Sequence, residues 1–298
     1  MTMKNILVTG ACGQLGNEMQ LQAAQHPQHN WFFTDVYVAD DFFPAVTTLD
    51  ITDRDAVEAF VADNAIDVIV NCAAYTAVDR AESEPERAML LNATAPGYLA
   101  AAVERREGHL IQISTDYVFD GTAHTPYTED LPTCPASVYG RTKLAGEETV
   151  LAAHPAAMII RTAWLYSRFG NNFVKTMLRL GREKSELGVI FDQIGTPTYA
   201  RDLATAIMAA VNQGIVPGIY HFSNEGVCSW YDFTLSIHRL AGITTCSVRP
   251  LHTAEYPTPA ARPHYSVLDK TKIKTTYHLD IPHWLDSLEA CIKELNSQ

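Results

Sequence analysis

Tyr139-Gly-Arg-Thr-Lys143 sets a phenol and an ammonium four residues apart. If the run is helical, both side chains share one face. A cation beside a phenol favours the phenolate and lowers the phenol's pKa. Such a tyrosine can protonate a carbonyl oxygen that is becoming an alkoxide. Ordinary solvated helices also carry this spacing, so its meaning depends on what precedes it. About twenty residues upstream, the apolar run His109-Leu-Ile-Gln-Ile-Ser114 reads as a buried strand, continued by Thr115-Asp116-Tyr117-Val118-Phe119-Asp120-Gly121. The carboxyl end of a strand is where open α/β sheets bind ligands. A hydroxyl there can donate to a substrate carbonyl oxygen, while Asp116 can orient a substrate hydroxyl or close a turn.

The elements that must hold these groups begin at the amino terminus. Asn5-Ile-Leu-Val-Thr9 is a short branched run typical of a fully buried parallel strand. It passes into Gly10-Ala-Cys-Gly13-Gln14-Leu15-Gly16 and then a helical pattern to about residue 25. Strand, glycine loop and helix together form the context of a dinucleotide fingerprint: the glycines allow a tight turn and close backbone approach, and the helix start offers amides to a pyrophosphate. A second strand, Trp31–Asp35, ends in an acid about 20 residues beyond Gly16, near the place of a ribose-binding carboxylate. An acid there accepts from a 2′-hydroxyl and repels a 2′-phosphate, which favours NADH over NADPH. The alternative is a loop aspartate, since Asp40 and Asp41 follow. Further strands are expected at 46–50 and 66–71. Thr52 reads as the cap of a helix running to about residue 64, with Asp55 three residues on. After the 66–71 strand, the small residues Ala73 and Ala74 suit close approach to a ligand, and Tyr75 and Thr76 follow within reach of ribose or substrate. A helical stretch from Ala81 to about Glu107, broken near Pro85 and Pro96, contains Asn92, which either braces the site or is merely exposed.

Composition fits a soluble globular chain: 298 residues, 47% hydrophobic, formal net charge -12. The acidic balance argues against nucleic acid and anionic membranes as partners, and there is no apolar run of about 18 residues to span a bilayer. Six scattered cysteines without a Cys-x-x-Cys pattern suggest free thiols in a reducing cytoplasm, and the eleven histidines show no metal-ligand spacing.

The Gly-x-x-Gly-x-x-Gly loop, strand-end hydroxyl and Tyr-x-x-x-Lys, in that order, resemble the extended short-chain dehydrogenase/reductase superfamily. Ser114-Thr-Asp-Tyr-Val-Phe-Asp-Gly121 narrows this: it is similar to the signature of the dTDP-4-dehydrorhamnose reductase family. The resemblance implies a Rossmann-like doubly wound parallel sheet with a small carboxyl-terminal substrate lobe, NADH or NADPH as cofactor, and a dTDP-sugar as substrate. It implies Thr115, Tyr139 and Lys143 as the catalytic set, with Lys143 also on the nicotinamide ribose and keeping Tyr139 acidic. By the same likeness Asp50-Ile51 contacts the adenine. Sugar-nucleotide 4,6-dehydratases usually carry Thr-Asp-Glu where this chain has Thr115-Asp116-Tyr117, so the dehydratase base is missing and simple reduction is favoured.

The second half carries further family-like segments. Arg161-Thr-Ala-Trp164-Leu-Tyr166 follows a strand expected at 156–160, and Trp164 would form a flat wall for the deoxysugar, or else sit in the core. Gly170-Asn171-Asn172-Phe173-Val174 begins a helix, with Asn171 near the substrate diphosphate. Asp192-Gln-Ile-Gly195-Thr-Pro-Thr198 and Ala261-Arg262-Pro-His-Tyr-Ser266-Val-Leu268 also match. Arg262 and Arg249 suit bidentate phosphate contacts, a surface salt bridge being the alternative for Arg249. Residues 1–166 are expected to form the nucleotide-binding domain, with about 188–222 returning to it, and 167–298 mainly an interleaved substrate lobe. Some family members dimerise around a divalent ion held by three glutamates. Glu18 and Glu294 match two of these places, but Arg201 stands at the third, so Mg²⁺ is doubtful and a monomer or weak homodimer is expected. The rival readings are a reductase or epimerase of another nucleotide sugar, and a catalytically silent regulatory subunit on the same scaffold.

Overall fold

The computed structural model describes residues 3–36 and 46–297. Asp40 and Asp41, the competitors of Asp35, lie outside the described residues. In the first half the strands are β1 (Asn5–Thr9), β2 (Asn30–Asp35), β3 (Thr47–Thr48), β4 (Val68–Asn71), β5 (His109–Thr115) and β6 (Met158–Thr162). The helices among them are α1 (Gln14–Gln25), α2 (Arg54–Asp63), α3 (Val78–Ala81), α4 (Pro85–Met89), α5 (Ala95–Glu104) and α6 (Val138–Ala153), with a π-helical turn at Leu90–Thr94 between α4 and α5. The second half adds β7 (Leu165–Tyr166), α7 (Phe173–Glu183), β8 (Glu186–Ile190), β9 (Ile194–Gly195), β10 (Thr198–Tyr199), α8 (Ala200–Gln213), β11 (Gly218–Phe222), β12 (Cys228–Ser229), α9 (Trp230–Leu240), β13 (Ser247–Leu251), α10 (Thr271–Tyr277) and α11 (Trp284–Asn296).

Seven strands form one sheet in the order β11-β6-β5-β4-β1-β2-β3, and every neighbouring pair runs parallel. The strands are apolar on both faces because both faces are covered. Ile6 and Val8 pack with Val68, Val70 and helices α1 and α8. Leu7, between them, packs instead with Ile69, Leu110 and helices α2 and α5. The period-2 alternation of a strand thus feeds two cores, one on each side. This is the doubly wound architecture that the glycine loop and branched runs imply.

Strand order reverses between β1 and β4, which opens a crevice at their carboxyl ends. The Gly10 loop and the Cys72–Thr76 segment flank that crevice. Asp53, not Thr52, caps α2: its side chain accepts from the Ala56 amide at 3.1 Å. Thr52 instead donates to Asp50 through both its amide and its hydroxyl.

The chain returns to the large sheet at β11, and Ile273 and Tyr277 of α10 also pack in that core. A smaller lobe grows around Tyr166, Val174, Phe233, Trp284 and Leu288. It is stitched by short pairings, β8 with β13, β9 with β12 and β7 with β10. These pairings join segments far apart in sequence.

Candidate active site

A cleft of 660 Å³ lies at the carboxyl ends of β1, β4, β5 and β6. Of the residues singled out from sequence, Gly10, Gly13, Gln14, Leu15, Asp35, Ile51, Ala73, Ala74, Thr76, Thr115, Asp116, Tyr139, Lys143, Trp164 and Asn171 line it.

One wall is backbone. Gly10 has a φ of +64°, in the left-handed region, and a Cβ there would fall 2.6 Å from the Ala73 amide nitrogen. Two loops from neighbouring strands touch at this point, which only glycine permits. Gly16 lies beneath the cleft: a Cβ on it would meet the Gly10 carbonyl at 2.2 Å, so the helix seats directly on the loop. Gly13 caps α1 with no side-chain bond, and the first turn carries no acid. The free amides and positive end of α1 therefore face the cleft, a fit for a pyrophosphate. Asp35 accepts from the Cys12 amide at 2.9 Å and the Val36 amide at 2.8 Å. This ties the end of β2 to the glycine loop.

The other wall is made of side chains. Ser137 caps α6 by accepting from the Gly140 amide at 3.1 Å. Gly140 is needed because a Cβ there would meet the Tyr117 carbonyl at 2.3 Å. The first turn of α6 therefore lies against the segment after β5, and the Tyr139 and Tyr117 rings meet edge to face at 5.5 Å. Thr115 donates to Asp116 Oδ1 at 2.9 Å and accepts from the Tyr117 amide. Burial pushes the Asp116 carboxyl up to about 6. Its Oδ2 is buried without a hydrogen bond of good geometry, and the equally unpaired Ser266 hydroxyl opposes the effect of burial on it.

The electrostatics differ from the sequence expectation in one respect. Burial, not the Lys143 ammonium, dominates the Tyr139 phenol. Burial pushes the Tyr139 phenol up to about 12, opposed in part by Thr115. Lys143 is itself buried, its Nζ donates to the Ile113 carbonyl at 2.7 Å, and burial pulls its pKa down to about 8. In both groups desolvation is the largest cause, and it disfavours the charged form of each.

Glu147, one turn beyond Lys143, raises the lysine's pKa in opposition to burial. Its carboxylate accepts from Arg161 Nη2 at 2.7 Å and Nε at 2.9 Å, and from Ser114 at 2.5 Å. Glu147 and Arg161 side chains are each 3% exposed. Ser114, the hydroxyl preceding Thr115, is thus committed to this buried pair. Sequence reading missed Glu147, although the i, i+4 spacing from Lys143 was visible.

Asn92 is buried in the π-helical turn. It accepts from the Tyr75 amide at 2.9 Å and donates to the Tyr75 carbonyl and to Thr142, each at 3.1 Å. It clasps the loop after β4 to the helix that carries Lys143. Tyr75, so held, turns its hydroxyl to Glu84 at 2.9 Å. Asp50 is spent on Thr52. Arg262 pairs with Asp79 at 2.8 Å, and Arg249 pairs with Glu186 on the surface. Tyr75, Asp50 and Arg262 do not line the cleft. Trp230 does, stacked on Trp164, and nothing local in its sequence marks it.

Away from the cleft, Arg201 lies between Glu18 and Glu294, pairing with both. Arg168 reaches Glu294 at 3.5 Å, and Ser167 donates to Glu18 at 2.6 Å. Two guanidiniums thus occupy the neighbourhood of the two glutamates. Among the described residues no group of three or more His, Cys, Asp or Glu side chains is arranged to hold a metal.

The profile of the RmlD substrate binding domain family matches residues 3–297. A dTDP-4-dehydrorhamnose reductase of Mycolicibacterium smegmatis is 42% identical over 97% of this chain and 85% of its own length. The crystal structure of a dTDP-4-dehydrorhamnose reductase from Clostridium acetobutylicum superposes with a TM-score of 0.90 at 44% identity, covering 98% of this chain and 99% of that one. One from Bacillus anthracis, in complex with NADP, gives 0.87 at 36% identity, covering 98% and 100%. The chain therefore belongs to the RmlD family, that of the dTDP-4-dehydrorhamnose reductases.

Proposed function

We propose that the protein reduces the C4 ketone of dTDP-4-dehydro-L-rhamnose, giving dTDP-L-rhamnose, at the expense of NAD(P)H. One observation carries this reading. Thr115, Tyr139 and Lys143 line the same cleft as the α1 amino terminus, which has no side-chain cap, and Tyr117 stands where the dehydratases carry glutamate.

The bound dihydronicotinamide supplies the hydride. The chain's own groups do the rest. Amides at the start of α1 and the Gly10 loop bind the pyrophosphate, with Ala73 and Ala74 lying close enough to bound the same site. Lys143 holds the ribose hydroxyls near the nicotinamide. Tyr139 gives its phenolic proton to the C4 oxygen, and Thr115 donates a second hydrogen bond to it by turning its hydroxyl away from Asp116 Oδ1. A phenol at about 12 keeps its proton until an alkoxide forms, and an alkoxide is basic enough to take it. Asp116 orients a sugar hydroxyl, Trp164 walls the sugar, and Asn171 lies toward the diphosphate.

Asp35 at the ribose position favours NADH over NADPH, and its bonds to Cys12 and Val36 hold the carboxylate there. Arg201 between Glu18 and Glu294 supports a monomer or weak homodimer without a bridging Mg²⁺. Six free cysteines, together with the absence of any helix long and apolar enough to cross a membrane among the described residues, fit a cytoplasmic setting. The decisive experiment supplies dTDP-4-dehydro-L-rhamnose with each cofactor and identifies the product. Formation of dTDP-L-rhamnose supports the reading. Turnover of a different keto sugar alone, an epimerised product, or none, sinks it.

A further inference from the structure

Among the described residues Trp164 is the one phenylalanine, tyrosine or tryptophan with a left-handed backbone, at a φ of +48°. A bulky side chain in that region is strained, and such strain persists only where the surroundings impose it. Two neighbours impose it here. The Trp230 indole stacks on the Trp164 indole, with centroids 3.5 Å apart and planes within 10°. Gly195 lies so close that a Cβ on it would meet Trp164 Cε2 at 2.6 Å.

Both neighbours are delivered by one piece of architecture. The antiparallel pairing of β9 with β12 sets Gly195 opposite Cys228, two residues before Trp230. Ser229 then caps α9 in a reciprocal box with Asp232, so the helix start that carries Trp230 is fixed. Phe173 packs on Trp230, with ring centroids 4.6 Å apart. Trp164 and Trp230 are only half-buried, and both line the cleft that holds Thr115 and Tyr139. A pair built for the core alone would not need to face the cleft.

We infer that Trp230 is a positioning residue for the sugar: stacked on Trp164, with Gly195 against the same indole, it locks Trp164 as a rigid apolar wall that favours a sugar with a deoxygenated edge. The inference rests on the nucleotide-sugar reading above. A flat apolar wall gains by burying a methyl group and loses by desolvating a hydroxyl. A locked indole delivers that discrimination without first losing rotamer freedom on binding.

The test compares wild type with Trp230→Leu, Trp230→Met and Trp230→Phe, using dTDP and dTDP-L-rhamnose as separate binding probes. The ligand-free wild type should show the near-ultraviolet circular dichroism of coupled indoles, and Leu and Met should abolish it. In both, affinity for dTDP and for the nicotinamide cofactor should stay within about twofold, while the extra affinity of dTDP-L-rhamnose over dTDP falls about tenfold. KM for the keto sugar should rise by a similar factor, more than kcat falls. Trp230→Phe, which keeps a stacking ring, should recover most of the sugar affinity. The Met variant, which fills the space flexibly, keeps the test open if Leu fails to fold. Unchanged sugar affinity in folded Leu or Met variants, or equal losses for dTDP and dTDP-L-rhamnose, overturns the role of Trp230 alone. A wild type that binds dTDP no more weakly than dTDP-L-rhamnose and does not turn over the keto sugar overturns both this inference and the functional reading.

Discussion

The cleft has one wall of backbone, from Gly10 to Leu15 and across to Ala73, and one of side chains, from Thr115, Tyr139 and Lys143 to Trp164 and Trp230. The first is specified by what is missing: no Cβ at Gly10 or Gly16 and no capping side chain on α1. The second is specified by what is present, and each group leans on another far along the chain. Lys143 rests on the Ile113 carbonyl and has Glu147 one turn away, Glu147 holds Arg161, and Trp164 lies under Trp230. The difference teaches where damage should appear. Changes to the backbone wall should act on cofactor binding, and changes to the side-chain wall on turnover, sugar binding or the fold.

The largest effect is expected in the buried pair beneath the side-chain wall. Arg161→Met leaves the Glu147 carboxylate buried without its cation, which should cost about 4 kcal/mol of stability. Chemical denaturation would measure it, and a loss below about 1 kcal/mol would mean that water or another donor satisfies Glu147. Next in size, Tyr139→Phe removes the proton donor and should lower kcat by on the order of 10²-fold or more, about 3 kcal/mol, with cofactor affinity kept. Near-normal turnover would remove Tyr139 from the chemistry.

Gly10→Ala probes the backbone wall. A methyl cannot fit 2.6 Å from the Ala73 amide without moving one loop. Cofactor affinity measured by calorimetry should fall by at least tenfold, about 1.4 kcal/mol. If kcat fell while cofactor binding held, the division between the walls would fail.

The dependence on pH follows from two buried groups of the side-chain wall. Asp116 is pushed up to about 6, so its carboxylate is lost as pH falls through 6. Lys143 is pulled down to about 8, so its charge is lost as pH rises through 8. A profile of kcat/KM, which follows the free enzyme, should therefore be bell-shaped between those limits. Glu147→Gln should move the alkaline limb to lower pH, because the charge that favours the ammonium is gone. A flat profile from pH 5 to 9 would mean that neither group's charge matters. The smallest effect expected is none: sedimentation should be the same in Mg²⁺ and in EDTA, since Arg201 already pairs with Glu18 and Glu294. A metal-dependent dimer would show that the guanidinium moves aside.

Much of the backbone wall was legible because its causes are local. Branched apolar runs make buried parallel strands wherever they are covered on both sides, and a glycine loop between strand and helix needs only its neighbours. The same locality let Tyr139 and Lys143 be paired on one helix face. Local reading failed where a side chain's partner is distant. Arg262 suits a phosphate by type, yet Asp79 takes it. Thr52 looks like a cap, but Asp53 holds the helix because Thr52 is drawn back to Asp50.

The sequence by itself determined the doubly wound architecture, the place of the glycine loop and the order of hydroxyl, tyrosine and lysine, since each depends on contacts within a few residues or on simple periodicity. Only the tertiary structure decided the electrostatic state of Tyr139 and Lys143, the commitment of Ser114 to Glu147, and the seat of Trp230 against Trp164. Burial and cross-chain contact set those, and both arise only when segments remote in sequence close around the same cleft.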